Sequence, residues 1–129
     1  MTMFSDVFGI HEQALKLRQD RLSLIAQNIA NADTPNYQAK DLDFRKIMSQ
    51  TKNDMRVELD RTEGGHLEDR SMKNANLIFR TPLNPAADGN TVEVHYEQSE
   101  FGKESGRYMA TLQFIEGRIG SIRRALRGE

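Results

Sequence analysis

The chain has 129 residues, with 18 Lys or Arg against 19 Asp or Glu spread along it, so it offers neither the concentrated basic face of a duplex binder nor an aromatic platform for single strands. It has no cysteine, which excludes disulfides, thiolate metal sites and thiol nucleophiles. At 37% hydrophobic and 29% charged, with no Trp, it is one domain in length but short of apolar surface, and an uneven fold is expected.

The first twenty residues carry Asp6 and Glu12 and no unbroken apolar run, so they read neither as a Sec signal peptide nor as a transmembrane helix. From Phe4 to Ala32 apolar residues recur in steps of three and four. Phe8, Leu15, Leu22 and Ile29 form one line and Phe4, Ile25 and Ala32 the next. His11 and Arg18 interrupt that second line, so the seam is clean only from Leu22 onward. The helix is expected to stop at Asn31-Ala32-Asp33-Thr34-Pro35-Asn36, where Pro35 disfavours a helical Thr34 and lacks an amide hydrogen.

Tyr37 to Ile47 reads as a loop leading into a short helix. Beyond Ser49 the periodicity dissolves into a polar stretch running to Asp88, broken by Gly64-Gly65, Pro82 and Pro85. Two runs in it, Met55 to Leu59 and Leu77 to Phe79, are read as short strands. Asp88-Gly89-Asn90 then makes a turn, and a second helical period follows. Phe101, Tyr108, Ile115 and Ile122 repeat every seven residues, with Ser105, Leu112, Ile119 and Leu126 four residues after each, a heptad seam that calls for a partner helix. Glu93, Glu97, Glu100 and Glu104 at its start, and Arg118, Arg123, Arg124 and Arg127 at its end, are read as partners of the helix dipole. Gly102, Gly106, Gly117 and Gly120 each weaken it by roughly 0.8 to 1 kcal/mol relative to Ala.

The expected fold is therefore mainly α: long terminal helices forming a coiled-coil-like pair, around an irregular, partly disordered or weakly β middle. Residues 1–36 form the first helix and its turn, 37–90 the middle and 91–129 the heptad helix. The two termini together make one helical assembly unit, and the assembly surface is assigned to Leu15, Leu22, Ile25 and Ile29 on the first helix. On the second helix it is assigned to Phe101, Tyr108, Leu112, Ile115, Ile119, Ile122 and Leu126.

Chemistry-bearing residues appear only as fragments. His11-Glu12 lacks a second His at helical spacing, and His66 with Glu68 and Asp69 lies in the polar middle, where solvated charge is the plainer reading. Asp41 and Asp43, flanking Leu42, read as solvated loop charges, and Gly117-Arg118-Ile119-Gly120 lacks the ending of a phosphate loop. No catalytic residue, metal or cofactor is expected.

The segment Asn28-Ile29-Ala30-Asn31-Ala32-Asp33-Thr34-Pro35-Asn36-Tyr37 resembles the N-terminal signature of the flagellar rod, hook and filament-junction proteins. The residues after it, Gln38 to Phe44, and the later Asp88-Gly89-Asn90-Thr91-Val92 extend the likeness to the proximal-rod branch, leaving the middle unmatched. Asn28, Asn31, Thr34, Pro35 and Tyr37 carry the motif. Where the family usually has Gly before the Tyr, this chain has Asn36, the next most tolerant residue of positive φ. The Asn28 and Asn31 amides are expected to satisfy backbone groups orphaned at the helix end, with Tyr37 folding back over it.

The resemblance implies a non-enzymatic subunit of the flagellar basal-body rod in the periplasm. Such a subunit is exported by the type III apparatus without a signal peptide, self-associates through its terminal helices and transmits torque from the membrane ring to the distal rod and hook. It implies as partners the rod proteins FlgC, FlgF and FlgG, the adaptor FliE and the membrane ring; from the charge distribution, no nucleic acid and no direct lipid binding are expected. A soluble coiled-coil adaptor or type III export chaperone is the alternative that the residues alone leave open, and a small hydrolase built on His66 is a distant third.

Overall fold

A computed structural model describes residues 2–58 and 77–128, with side chains over 8–53 and 77–128. The elements run α1 (Thr2–Ala30), β1 (Lys40–Leu42), α2 (Phe44–Glu58), β2 (Leu77–Phe79) and α3 (Val94–Arg127). The fold is mainly helical. α1 and α3 lie antiparallel: His11 meets Phe114 near one end, with ring centroids 4.5 Å apart, and Asn28 meets Glu97 at the other.

α1 ends where the turn residues predicted it. The Asn31 amide still donates to the carbonyls of Gln27 and Asn28, and the Tyr37 amide closes a turn on the Thr34 carbonyl at 3.3 Å. Asn36 takes φ 61, the left-handed conformation expected of a residue standing in for Gly. At the far end, α3 stops at Gly128, whose φ of 74 lets its amide return to the Ala125 and Arg124 carbonyls.

The middle departs from expectation in two places. Met55 to Glu58 belongs to α2 rather than to a strand. Phe44, Ile47, Met48 and Thr51 recur at helical spacing along α2, and the Asp43 carboxylate caps its start by accepting from the Lys46 amide at 3.2 Å. Local capping and a helical apolar stripe outweigh the β-propensity of a five-residue run. Leu77 to Phe79 is a strand as expected; its antiparallel partner is β1, with Lys40 opposite Phe79, Asp41 opposite Ile78 and Leu42 opposite Leu77. Leu59 and the His66 cluster with Glu68 and Asp69 lie outside the described residues.

The interior has little apolar content. Among the described residues the buried apolar side chains are Ile25 and Ala39, whereas Asn28, Asp41, Asn90, Glu97 and Glu104 are all buried polar ones. Among the described residues, no helix is long and apolar enough to cross a membrane.

Two glycines test this architecture in opposite directions. Gly89 has φ 77, and a Cβ there would meet Asn36 Oδ1 at 2.5 Å. Gly89→Ala should lower the unfolding free energy by more than about 1 kcal/mol. Gly117 lies in α3 with nothing among the described residues within 4 Å of a Cβ, so Gly117→Ala should raise it by roughly 0.8 to 1 kcal/mol. Urea unfolding of the isolated chain measures both.

Candidate assembly interface

Two polar devices hold the helices so that the outer faces can be presented. The first is a clasp between the turn after α1 and the turn before α3. The Asn90 side-chain amide donates to three carbonyls of the first turn, those of Asn31 at 2.9 Å, Ala32 at 2.9 Å and Thr34 at 2.8 Å. Its own oxygen accepts from the Val92 amide at 2.7 Å, so this buried side chain is satisfied on both sides. The Asn36 amide donates to the Asp88 carbonyl at 2.9 Å and the Thr91 amide to the Tyr37 carbonyl at 3.0 Å.

Asn28 extends the clasp inward. Fully buried, it donates to the Lys40 carbonyl at 2.7 Å and accepts from the Lys40 amide at 3.0 Å, as a neighbouring strand would. Tyr37 folds back, its hydroxyl donating to Asn28 Oδ1 at 3.4 Å. Asn31 donates to the Gln27 carbonyl at 2.8 Å, and Thr34 to Asn31 Oδ1 at 3.2 Å. Asn31 thus serves the helix end as predicted, while Asn28 serves β1 instead. Pro35 is exposed at the tip of the turn.

The second device is an ion network between the helices. Arg21 donates to Asp41 on β1 through Nε at 2.9 Å, to Glu104 on α3 through Nη1 at 2.6 Å and to Glu100 through Nη2 at 2.9 Å. Arg80, just past β2, donates to Asp41 at 2.6 Å and also to Glu97. Arg18 donates to Glu104 at 3.0 Å and stacks over Phe44, its guanidinium carbon 4.3 Å from the ring centroid. One network therefore ties α1, β1, the residue after β2, and α3.

Titration follows this geometry. Burial pushes the Asp41 carboxyl up, but hydrogen bonds from Arg21, Arg80 and the Leu42 amide outweigh it and hold Asp41 below its ordinary 3.8. For Glu100 burial is again overcome, here by Arg21, and its carboxyl lies below 4.5. Burial prevails for Glu97, whose carboxyl is raised above 4.5 despite hydrogen bonds from Asn28 and Arg80.

One expectation is corrected here and another extended. Asp41 is a buried hub, not a solvated loop charge. Glu97 does lie in the first turn of α3, as the dipole reading has it, but it also pairs with Arg80 beyond β2, while Glu100 and Glu104 pair with Arg21 across the helix interface. The signal was present in the sequence. Arg18 and Arg21 lie three apart, and Glu97, Glu100 and Glu104 recur at three and four, so each set shares one helix face.

The apolar seam surrounds this polar centre. On α1, Ile25 is fully buried and Leu15, Leu22 and Ile29 are half-buried. On α3, Tyr108, Leu112, Ile115 and Ile122 are half-buried, but Phe101, Ile119 and Leu126 are 40%, 42% and 80% exposed. Met109 and Phe114 add to the exposed apolar surface of the same helix. Glu97 and Glu104, rather than Phe101, occupy the buried positions of its first turns. Among the described residues, no heavy atom lies within 4 Å of a Cβ placed on Gly102, Gly106 or Gly117, so none of the three marks a close helix approach there.

Comparison with known proteins falls on these same elements. The model of the flagella basal body rod protein family matches residues 8–38, from α1 through the Asn-rich turn. The flagellar basal body rod protein FlgB of Cereibacter sphaeroides is 38% identical over all of both chains. The FlgB of Aeromonas hydrophila is 37% identical over 98% of this chain and 96% of its own, and that of Proteus mirabilis 35% over 91% and 90%. The chain belongs to the FlgB family of flagellar basal body rod proteins. The matched segment contains Arg18, Arg21, Asn28 and Asn31, all four of which are hydrogen-bonded to residues between 90 and 104. The rod-family likeness first read from the turn thus holds over the full length.

Removing Arg21 leaves Asp41, Glu100 and the nearly fully buried Glu104 short of a partner, so Arg21→Ala should cost about 3 to 5 kcal/mol. Lys103→Ala, which removes a 59% exposed partner of Glu100, should stay within about 0.5 kcal/mol. Acid titration gives a further test. Glu97, raised in the folded chain, takes up its proton on folding, so stability should rise slightly as the pH falls towards 4.5. Asp41 and Glu100 are lowered, so their contribution is present above their ordinary 3.8 and 4.5 and is lost as the pH falls below those values. Urea midpoints against pH should show the rise in the parent chain and lack it in Glu97→Gln.

Proposed function

We propose that this chain is a structural subunit of the proximal flagellar rod, polymerising through α1 and α3 to transmit torque from the membrane ring to the distal rod and hook. The single observation that carries the reading is the distribution of polarity. The hairpin closes on buried charges and amides, while Phe101, Ile119 and Leu126 of the heptad seam stay open. Apolar surface arranged along a helix at heptad spacing is what a neighbouring helix covers, and a solitary domain rarely leaves it exposed.

In this reading Leu15, Leu22, Ile25 and Ile29 with Tyr108, Leu112, Ile115 and Ile122 support the layer from within. Phe101, Ile119 and Leu126 meet neighbouring subunits. The partners are further copies of the chain, the rod proteins FlgC, FlgF and FlgG, the adaptor FliE and the membrane ring. The chain works in the periplasmic basal body, exported through the type III apparatus without a signal peptide. Residues 1–36 and 91–129 form the helical assembly unit and 37–90 bridge them. No catalytic step and no cofactor enters this role.

Deleting the gene should leave rings without a rod in electron micrographs of basal bodies, and a plasmid copy should restore rod and swimming. Ile119→Asp, at a partly exposed position, should keep the helix content of the isolated chain yet fail to restore the rod. Intact rods in the deletion strain would point to a soluble adaptor, and a motile Ile119→Asp strain would remove the seam from the interface.

A further inference from the structure

The two ends of α3 are chemically opposite. Between Thr81 and Gly102 the chain carries Asp88, Glu93, Glu97 and Glu100 and no Lys or Arg, whereas between Arg118 and Gly128 it carries Arg118, Arg123, Arg124 and Arg127 and no Asp or Glu. Each end also exposes apolar side chains. At the start, Ile78 is 46%, Leu83 88% and Tyr96 47% exposed. These three, with Pro82, rim a groove of about 380 Å³ whose polar wall includes Arg80 and Glu93. The Glu93 carboxylate is fixed at this rim by accepting from the Leu83 amide at 2.6 Å. At the finish, Leu126 and Ile119 lie seven residues apart with Arg123 between them and Arg127 beside them, one face both apolar and basic.

We propose that the end of α3 in one copy seats Leu126 in the Leu83 groove of a second copy, with Arg123 and Arg127 towards Glu93 at its rim, joining copies head to tail. Charge selects this occupant, since a groove bordered by carboxylates takes a basic apolar helix end in preference to an acidic one. Length excludes the chain's own end. α3 has 34 residues, about 50 Å of rigid helix at 1.5 Å per residue, with the groove at its first turn and Leu126 at its last. The two surfaces are different patches of one molecule, so a head-to-tail contact leaves one free on each copy and repeats, into a ring where the rotation closes and into an open helical array where it does not, and the ladder of the double variant separates both from a reciprocal two-fold pair. The inference rests on the rod reading and adds to it the identity of one subunit contact.

Because the chain has no cysteine, introduced ones report without background. Leu83→Cys and Leu126→Cys both lie at strongly exposed positions, where the fold tolerates them. Mixing the two purified single variants under mild oxidation should give a linked pair, and the double variant should give a ladder of multiples. Adding Arg123→Glu and Arg127→Glu to the Leu126→Cys chain should slow linking severalfold, as should high salt. Leu126→Cys chains that link to each other as fast as to Leu83→Cys chains, or mixtures that remain monomeric, would overturn the head-to-tail contact. Basal bodies separate this failure from that of the rod reading. If they contain the chain while linking fails, the contact falls and the rod assignment stands; if they lack it, the rod assignment falls and the contact loses its role.

Discussion

The guanidinium of Arg21 spreads its hydrogen bonds over carboxylates from two elements, Asp41 on β1 and Glu100 and Glu104 on α3. An arginine suits this position because its planar, permanently charged fork offers five donors in fixed directions; burial pulls its pKa down, but the hydrogen bonds to Asp41, Glu100 and Glu104 outweigh that and hold it above the ordinary arginine value. Sliding α3 by one turn would move Glu104 about 5.4 Å and uncouple it from Arg21 and Arg18 together. The register of the helices is therefore fixed by charge, and the position of β1 against them follows from Asp41, which also receives Arg80 from the end of β2.

Buried ion pairs are a poor source of net stability, because desolvation offsets most of their attraction, but breaking one partner is expensive. A hairpin joined in this way tolerates few alternative pairings while leaving its apolar residues largely uncommitted. That combination suits the proposed rod subunit, which would keep one shape alone and gain further hydrophobic burial from neighbours. A core of leucines between α1 and α3 would have consumed the same surface within one chain.

Much of this was legible in the sequence, at the level where local chemistry decides. The helical periods at the two ends, the stop of α1 at the turn beginning with Asn31, the left-handed Asn36 and the strand at Leu77 each follow from local residues. The ion network was not legible in the same way, since its partners lie up to 86 residues apart and nothing local marks Arg18 and Glu104 as a pair. Arg18 showed only as a gap in the α1 seam, and the glutamates had a sufficient local explanation in the helix dipole, which concealed their second role. Met55 failed for the opposite reason. Five residues of β-type composition said less than the helical stripe from Phe44 to Thr51 and the Asp43 cap that feed into them.

The two motif segments acquire a common explanation once they are seen together. Asn28 and Asn90 belong to opposite halves of the chain, yet each presents a side-chain amide to backbone groups of another segment: Asn28 to both polar groups of Lys40, and Asn90 to three carbonyls of the turn after α1. An Asn side chain is a peptide group on a short stem, and it can satisfy a backbone donor and a backbone acceptor at once, which neither Asp nor Ser does with the same geometry. A chain too poor in apolar residues to seal its turns under a hydrophobic layer uses amides as substitute backbone, so the Asn residues of the rod motif are required by the closure of the fold itself. On the proposed rod reading, recognition of neighbours then falls to the exposed apolar residues of α3, which the motif does not contain.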